Sequence, residues 1–342
     1  MPAANGHSPV MADVARMAGV SHQTVSRVLN GHPNVKAETR TRVEMAIDEL
    51  GYLRNSSARA LVTRRTSVIG VIAFDPTLYG PASTLGGIER AARAAGYFLS
   101  VVTLQTVTHE AVREAMDYLA QQSVEGYIVI APLRTVVEGL ADLPHGRPVV
   151  AVEGGQAPDI PVVCVDQPGG AYLATRHMIE LGHRTVHHIA GPHDWLESEG
   201  RVAGWHRALE EAGAPVPEPL WGNWRPREGY ELGRRLADDR EVTAVFVAND
   251  QMALGVLRAL GEAGLRVPQE VSVVGFDDVP EAEFFTPPLT TVAQDFSEVG
   301  QRSIALLLSL LEDSESPESA PKRDVVPARL VTRQSTAPPS TR

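Results

Sequence analysis

The sequence predicts an N-terminal all-α helix-turn-helix headpiece followed by an α/β core of two doubly wound parallel-sheet lobes. Three observations lead there. Residues 9–51 place apolar side chains at helical spacing, interrupted by glycine and asparagine. From Ser67 onward short β-branched runs recur, among them "VIGVIAF", "FLSVVTL", "GYIVIAP", "PVVAVEG", "VVCVD", "TVHHIAG", "AVFVAND" and "SVVGFDD". Amphipathic stretches such as "TLGGIERAARAAGY" and "QMALGVLRALGEAGL" separate them, and strand–helix alternation implies parallel sheets covered on both faces. The number of strands favours two lobes over one sheet. A chain of 342 residues, 43% of them hydrophobic, can bury such a core.

Within the headpiece, "PVMADVARMAG" carries Val10, Val14 and Met17 or Ala18 on one face and stops at Gly19. Ser21 is the N-cap of a second helix whose Val25, Val28 and Leu29 point inward, and Asn30-Gly31 ends it. "AETRTRVEMAIDELG" supplies Val43, Ala46, Ile47 and Leu50 for a third helix. In the core, Gly96, Gly126, Gly182 and Gly264 read as helix stops before the next strand. The expected division is 1–54 headpiece, 55–65 hinge helix and 66–334 core. The N-lobe takes about 66–165 plus 294–323 and the C-lobe about 166–293 plus 324–334, with "VVPARLVTR" as a last strand and 335–342 as a flexible tail.

A net charge of −11 would argue against a nucleic-acid partner, but residues 1–65 carry nine Lys and Arg against five acids. A basic head at +4 on a body at −15 can meet phosphates while the body stays off them. Two short helices joined at Gly19-Val20, the second capped by Ser21, make a helix-turn-helix, which lays its second helix in the DNA major groove. Gln23 and Arg27 are four apart and share a face, with His22 and Ser26 beside them. Gln pairs with adenine and Arg with guanine. In the α/β part, ligands bind beyond the carboxyl ends of strands, where Glu153, Asn249-Asp250 and Asp277-Asp278 stand. Carboxylates and amides suit sugar hydroxyls, and Trp195, Trp221 and Trp224 can cover a pyranose face.

The motifs "MADVARMAGVSHQTVSRVLNG", "VKAETRTRVEMAIDELGY", "MIELGH", "RVAGWHRAL", "VANDQMALG", "GLRVPQEVSVVGFDD" and "PPLTTVAQDF" resemble, in order, the LacI/GalR family of bacterial regulators over almost the whole chain. The resemblance implies a core like periplasmic binding proteins and a base-reading set of His22, Gln23 and Arg27, with Thr24 and Asn30 on the DNA backbone. With Ser21 and Ser26, these form the expected DNA-contacting helix. It also implies that "NSSARALVTRR", capped at Asn55 or Ser56 and continuing through Ala58, folds on operator DNA and wedges Leu61 into the minor groove. Arg54 departs from the family, which usually has proline there. In the core the resemblance assigns Arg201, Asn249, Asp277 and Gln294 to ligand contact and Leu78 and Pro81 to apolar lining. Set against the lactose-responsive pattern of that family, Glu197 replaces a small serine, Ile130 an amide, and Glu153 a shorter carboxylate. The expected ligand set is therefore Leu78, Pro81, Glu153, Glu197, Arg201, Trp224, Asn249, Asp277 and Gln294.

The expected function is a repressor of sugar-utilisation genes, acting as a homodimer on a pseudo-palindromic operator and released by a sugar. Because the sequence ends at "STAPPSTR", without the leucine-rich helix that assembles tetramers in a member of the resembled family, a dimer rather than a tetramer is expected. Neither a metal nor a cofactor is expected: His187 and His188 are neighbours on a strand and face opposite ways. A single cysteine, Cys164, the absence of an apolar run of membrane-spanning length and the absence of an export signal predict a cytoplasmic protein. Three alternatives stand at this point. One is a periplasmic-type sugar binder, against which residues 9–61 count. Another is a regulator that needs ligand as co-repressor. The third is an enzyme, for which no GxGxxG turn, P-loop or GxSxG elbow is present.

Overall fold

Helices α1 (Met11–Ala18), α2 (His22–Leu29) and α3 (Ala37–Leu50) build the first of two units, Met1–Thr66. Asp13 accepts from the Val10 N–H at 3.0 Å at the start of α1, and Gly19 ends it in the left-handed region at φ 63°. Ser21 caps α2 by accepting from the Thr24 N–H at 3.2 Å. Helices of eight residues do not persist alone. Val14, Ala18, Val25, Val28, Val43 and Ala46 hold these together in one core with Tyr52. The computed structural model describes residues 9–52, 65–104, 108–130, 133, 146–153, 160–312 and 323–340. The hinge expected at 55–65, with Asn55, Ala58 and Leu61, falls almost wholly outside them, as does Arg54.

The second unit, Ser67–Arg342, contains two sheets. In the first, β1 (Val68–Phe74), β2 (Phe98–Leu104), β3 (Gly126–Ile130), β4 (Val149–Val152), β5 (Val162–Val165) and β11 (Arg323–Val326) take the order β2-β1-β3-β4-β5-β11, all parallel. In the second, β6 (His187–Ala190), β7 (Leu220–Trp221), β8 (Ala244–Val247), β9 (Ser272–Asp277), β10 (Thr290–Ala293) and β12 (Arg329–Val331) take the order β7-β6-β8-β9-β10-β12. There β12 runs antiparallel to β10 and the other pairs are parallel. Both are doubly wound sheets of the same order, so each has a switch point where successive connections leave in opposite directions. Strands β3, β4, β5, β8 and β9 are buried throughout, as their unbroken apolar runs require.

Helices α4 (Tyr79–Ala94), α5 (His109–Gln121) and α10 (Phe296–Glu312) cover the first sheet. Helices α6 (Gln167–Glu180), α7 (Leu196–Glu211), α8 (Pro226–Ala237) and α9 (Asp250–Glu262) cover the second. Helices α4 and α10 meet at Gly87 and Gly300, where a Cβ on either would overlap the backbone of the other helix.

Three expectations need correction. "VVPARLVTR" is two strands, not one. Residues Arg323–Val326 extend the first sheet beside β5, and Arg329–Val331 join the second. The third crossover between lobes is therefore at Pro327-Ala328 rather than near 323. Proline has no N–H for a ladder, and Arg302 of α10 pins the first strand through Asp324 at 2.6 Å. Residues 335–340 are not a loose tail: Ser335 is fully buried and bonded into the second sheet. Gly126 lies inside β3, and Ser123 takes the left-handed position after α5 at φ 56°.

Candidate functional site

On α2 the inward residues are Val25 and Val28, whereas Ser21, His22, Gln23, Arg27 and Asn30 are exposed and Thr24 and Ser26 half-buried. Thr24 and Ser26 have partners on the same helix: Thr24 Oγ1 bonds Ser21 Oγ at 2.9 Å and Ser26 Oγ accepts from Asn30 Nδ2 at 3.4 Å. His22, Gln23 and Arg27 thus form an open polar edge one to two turns long. That edge fits base edges in a groove.

In the second unit a cavity opens where the two switch points face each other. Its wall from the first sheet holds Leu78, Tyr79, Gly80, Pro81 and Thr84 after β1, Ile130 closing β3 and Glu153 after β4. Its wall from the second holds Trp195 and Glu197 after β6, Trp224 after β7, Asn249 after β8 and Asp277 closing β9. Gln167 and Gln294 enter from two crossover segments, with Phe296 beside them and Arg201 from α7. A cleft of this kind, part apolar with polar groups converging on it, suits a small-molecule ligand.

Buried Arg201 organises the floor. Its Nε donates to Gln167 Oε1 at 2.9 Å, its Nη1 donates to the Ala248 carbonyl, and its Nη2 lies 3.5 Å from Asp277 Oδ1. The guanidinium also stacks 3.9 Å from the Phe276 ring centre. Gln294 donates to Asp277 Oδ1 at 2.6 Å. Gln167 donates to Gln294 Oε1 at 2.9 Å and to Glu153 Oε2 at 3.3 Å. An unbroken chain of bonds therefore runs from the first sheet to the second through the two crossover glutamines. Asn249 caps α9 by accepting from the Met252 N–H at 2.9 Å, and its Nδ2 donates to the Trp224 carbonyl at 3.0 Å. Glu153, Trp224 and Asp277 all have positive φ (61°, 68° and 109°). Such backbone costs about 1–3 kcal/mol per residue and persists where surrounding contacts enforce it. Gly191 is required beneath Trp224, since a Cβ there would overlap the indole ring.

The acids of this cavity hold their protons unusually well. Burial pushes Glu153 up to about 7 against the opposing pull of the Val165 N–H, Gln167 and Arg201. Burial likewise pushes Asp277 up to about 6, opposed by Arg201 and Gln294. Glu197 is held well above the usual carboxylate range by burial and then by repulsion from Glu153. Because the folded state keeps these protons longer than the unfolded chain, their contribution to stability is full in acid and is lost as pH rises through about 7. Glu153→Gln is expected to remove on the order of 3 kcal/mol of the fall in stability between about pH 5 and about pH 8. Urea midpoints of both proteins at the two pH values test this, and parallel curves would refute it.

The sequence model of the lacI family of bacterial regulatory proteins matches residues 10–55. The lactose operon repressor of Escherichia coli K12 is 34% identical over 334 residues, which cover 96% of this chain and 91% of that protein. The chain belongs to the lacI family. It is a DNA-binding regulatory protein and not an enzyme. A periplasmic binding protein-like domain model matches residues 175–336. The transcriptional repressor PurR of Haemophilus influenzae is 34% identical, over 94% of this chain and 97% of that one. The crystal structure of the lac repressor dimer bound to operator and the anti-inducer ONPF superposes with a TM-score of 0.85 at 33% identity, covering 97% of this chain and 100% of that chain. The complex of the transcriptional regulator CelR with cellobiose gives 0.70 at 32% identity, covering 96% and 99%.

In this lacI-family core, all nine residues expected to contact ligand line the one cavity: Leu78, Pro81, Glu153, Glu197, Arg201, Trp224, Asn249, Asp277 and Gln294. Trp221 is not in the lining and stacks on His193 at 3.5 Å between ring centres. Sequence reasoning missed Gln167, Tyr79, Thr84 and Phe296. Gln167 had a usable signal, because "VVCVDQP" places it just past the carboxyl end of β5, the position that singled out Glu153 after β4. Among the described residues no group of His, Cys, Asp and Glu could hold a metal ion, and no helix is long and apolar enough to cross a membrane.

Proposed function

We propose that this chain is a dimeric, cytoplasmic repressor that holds a pseudo-palindromic operator through α2 and is released by a sugar bound between its two sheets. The observation that carries the reading is the cavity itself. It joins hydrogen-bonding carboxylates, amides and a guanidinium to the Trp195–Trp224 aromatic edge at 5.5 Å, the mixture that hydroxyl-rich rings need. The likeness to a regulator solved with cellobiose supports it. The sugar shifts a pre-existing equilibrium by binding one lobe arrangement better than the other. Glu153, Gln167, Gln294 and Asp277 are the contacts through which closure would be felt in both lobes. In the DNA-bound dimer, residues 55–65 would form the hinge, with Leu61 as the minor-groove wedge.

A thermal-shift screen against mono- and disaccharides tests the ligand class: a sugar at ~100 times its Kd adds ~2.7 kcal/mol of stability. The same sugar is expected to displace the operator in a gel shift. A panel with no shift at all would sink the sugar reading. For the DNA half, Arg27→Ala is expected to cost ~1–3 kcal/mol of specific affinity and to relax preference at one base pair per half-site. Competition between operator and random DNA measures this. Equal losses on both would reduce Arg27 to a phosphate contact.

A further inference from the structure

Three acids, Glu153, Glu197 and Asp277, line the cavity. Arg201 is its one cation among the described residues, and it is matched to Asp277 at 3.5 Å. Neither Glu153 nor Glu197 has a direct ion-pair partner among the described residues, and Arg201 acts on both only at longer range. Glu153 has neutral donors in the Val165 N–H at 3.0 Å and Gln167 at 3.3 Å. Glu197 Oε2 is buried with no hydrogen-bond partner among the described residues, and so is the Nε1–H of Trp224, itself only 7% exposed. Both residues line the cavity. Buried groups left unmet cost about 1–3 kcal/mol each, more when charged. A site keeping one orphan acceptor and one orphan donor is shaped for a ligand that supplies the converse pair.

Resting on the sugar reading above and narrowing it, we propose that the effector is an amino sugar whose ammonium group is received by Glu197 beside Glu153, while a ring or hydroxyl oxygen accepts from the Trp224 indole N–H. A neutral hydroxyl could satisfy Glu197 Oε2 but brings no charge, so both buried carboxyls keep their protons. An ammonium supplies the hydrogen bond together with a positive charge that lets one carboxyl ionise, and charge-assisted bonds are about twice as strong as neutral ones. Burial raises the hold of both carboxyls on their protons in the free protein, and Glu153 raises that of Glu197 further. Seating an ammonium ionises one of them, so a proton leaves as the ligand enters. A neutral sugar expels none.

Calorimetry on the full-length protein decides between them. The probes are glucosamine and its β-1,4-linked dimer, set against glucose and cellobiose, in two buffers of different ionisation enthalpy. At about pH 6 a sugar amine is fully charged, and the amine member of a pair is expected to bind at least about tenfold tighter with release of about one proton. Glu197→Gln is expected to abolish both the preference and the proton release. Should that variant fail to melt cooperatively, the proton count on the unaltered protein decides alone. Equal or tighter binding of the neutral sugar without proton release overturns the inference while leaving the sugar reading intact. Binding of neither series overturns both.

Discussion

Replacing Arg201 by lysine is expected to weaken effector binding by at least about 30-fold, or ~2 kcal/mol. Three of the guanidinium's nitrogens are engaged at once, on Gln167, Ala248 and Asp277, and its plane stacks on Phe276. Lysine keeps the charge beside Asp277 but has neither the planar fork nor the stacking face. Gln167 and Gln294 would then lose the arrangement that ties Glu153 to Asp277, and the ligand would meet a misaligned floor. Alanine is the harsher change. It would strand a buried carboxylate and cost about 3–5 kcal/mol of stability, which makes lysine the better probe. Operator affinity without effector is expected to hold for the lysine variant, because Arg201 belongs to the second unit and His22, Gln23 and Arg27 to the first. Effector affinity by calorimetry and operator affinity by gel shift, on one preparation, separate the cases. Lost operator binding with intact effector binding would refute this placement of the site.

Ending the chain at Gln334 is expected to lower the melting temperature by roughly 10 °C or to prevent folding of the core. Ser335 Oγ accepts from the Thr290 N–H at 2.8 Å and donates to the Val273 carbonyl at 2.6 Å. Its carbonyl accepts from the Val273 N–H at 2.8 Å. Ala337 adds an N–H to Ser272 Oγ at 3.0 Å and a carbonyl facing His183 Nε2 at 3.0 Å. At about 1 kcal/mol per bond, with buried partners left unmet, the loss comes to roughly 4–6 kcal/mol. That is a large share of the 5–15 kcal/mol that typically holds a domain (~10 on average). A truncated protein that melts within a degree or two of the full chain would show that the segment merely rests on the sheet.

The same segment shows where the sequence could be read and where it could not. Central strands such as "VIGVIAF" and "SVVGFD" announce themselves because burial on both faces demands an unbroken apolar run. Leu220–Trp221 is too short to carry any pattern. "VVPARLV" looks continuous because both halves are apolar, although Pro327-Ala328 divides them between sheets. "STAPPSTR" has the composition of a loose end, and the order of Ser335 to Ala337 comes from tertiary hydrogen bonds that local sequence does not encode. The cavity was legible where polar residues terminate apolar strands, as at Glu153, Asn249 and Asp277. Tyr79, Thr84 and Phe296 look like ordinary helix residues, and only the facing of the two sheets turns them toward ligand.

One titration reaches the central claim, that a ligand in this cavity controls DNA binding. Two of the protein's four tryptophans, Trp195 and Trp224, line the cavity, so intrinsic fluorescence reports occupancy while a dye-labelled operator reports release by anisotropy in the same cuvette. The account predicts that the sugar raised in the thermal screen quenches or shifts the tryptophan signal and frees the operator over one concentration range. It also predicts that Arg201→Lys moves both curves together to higher sugar. Full occupancy of the cavity with the operator still bound at unchanged affinity would contradict it.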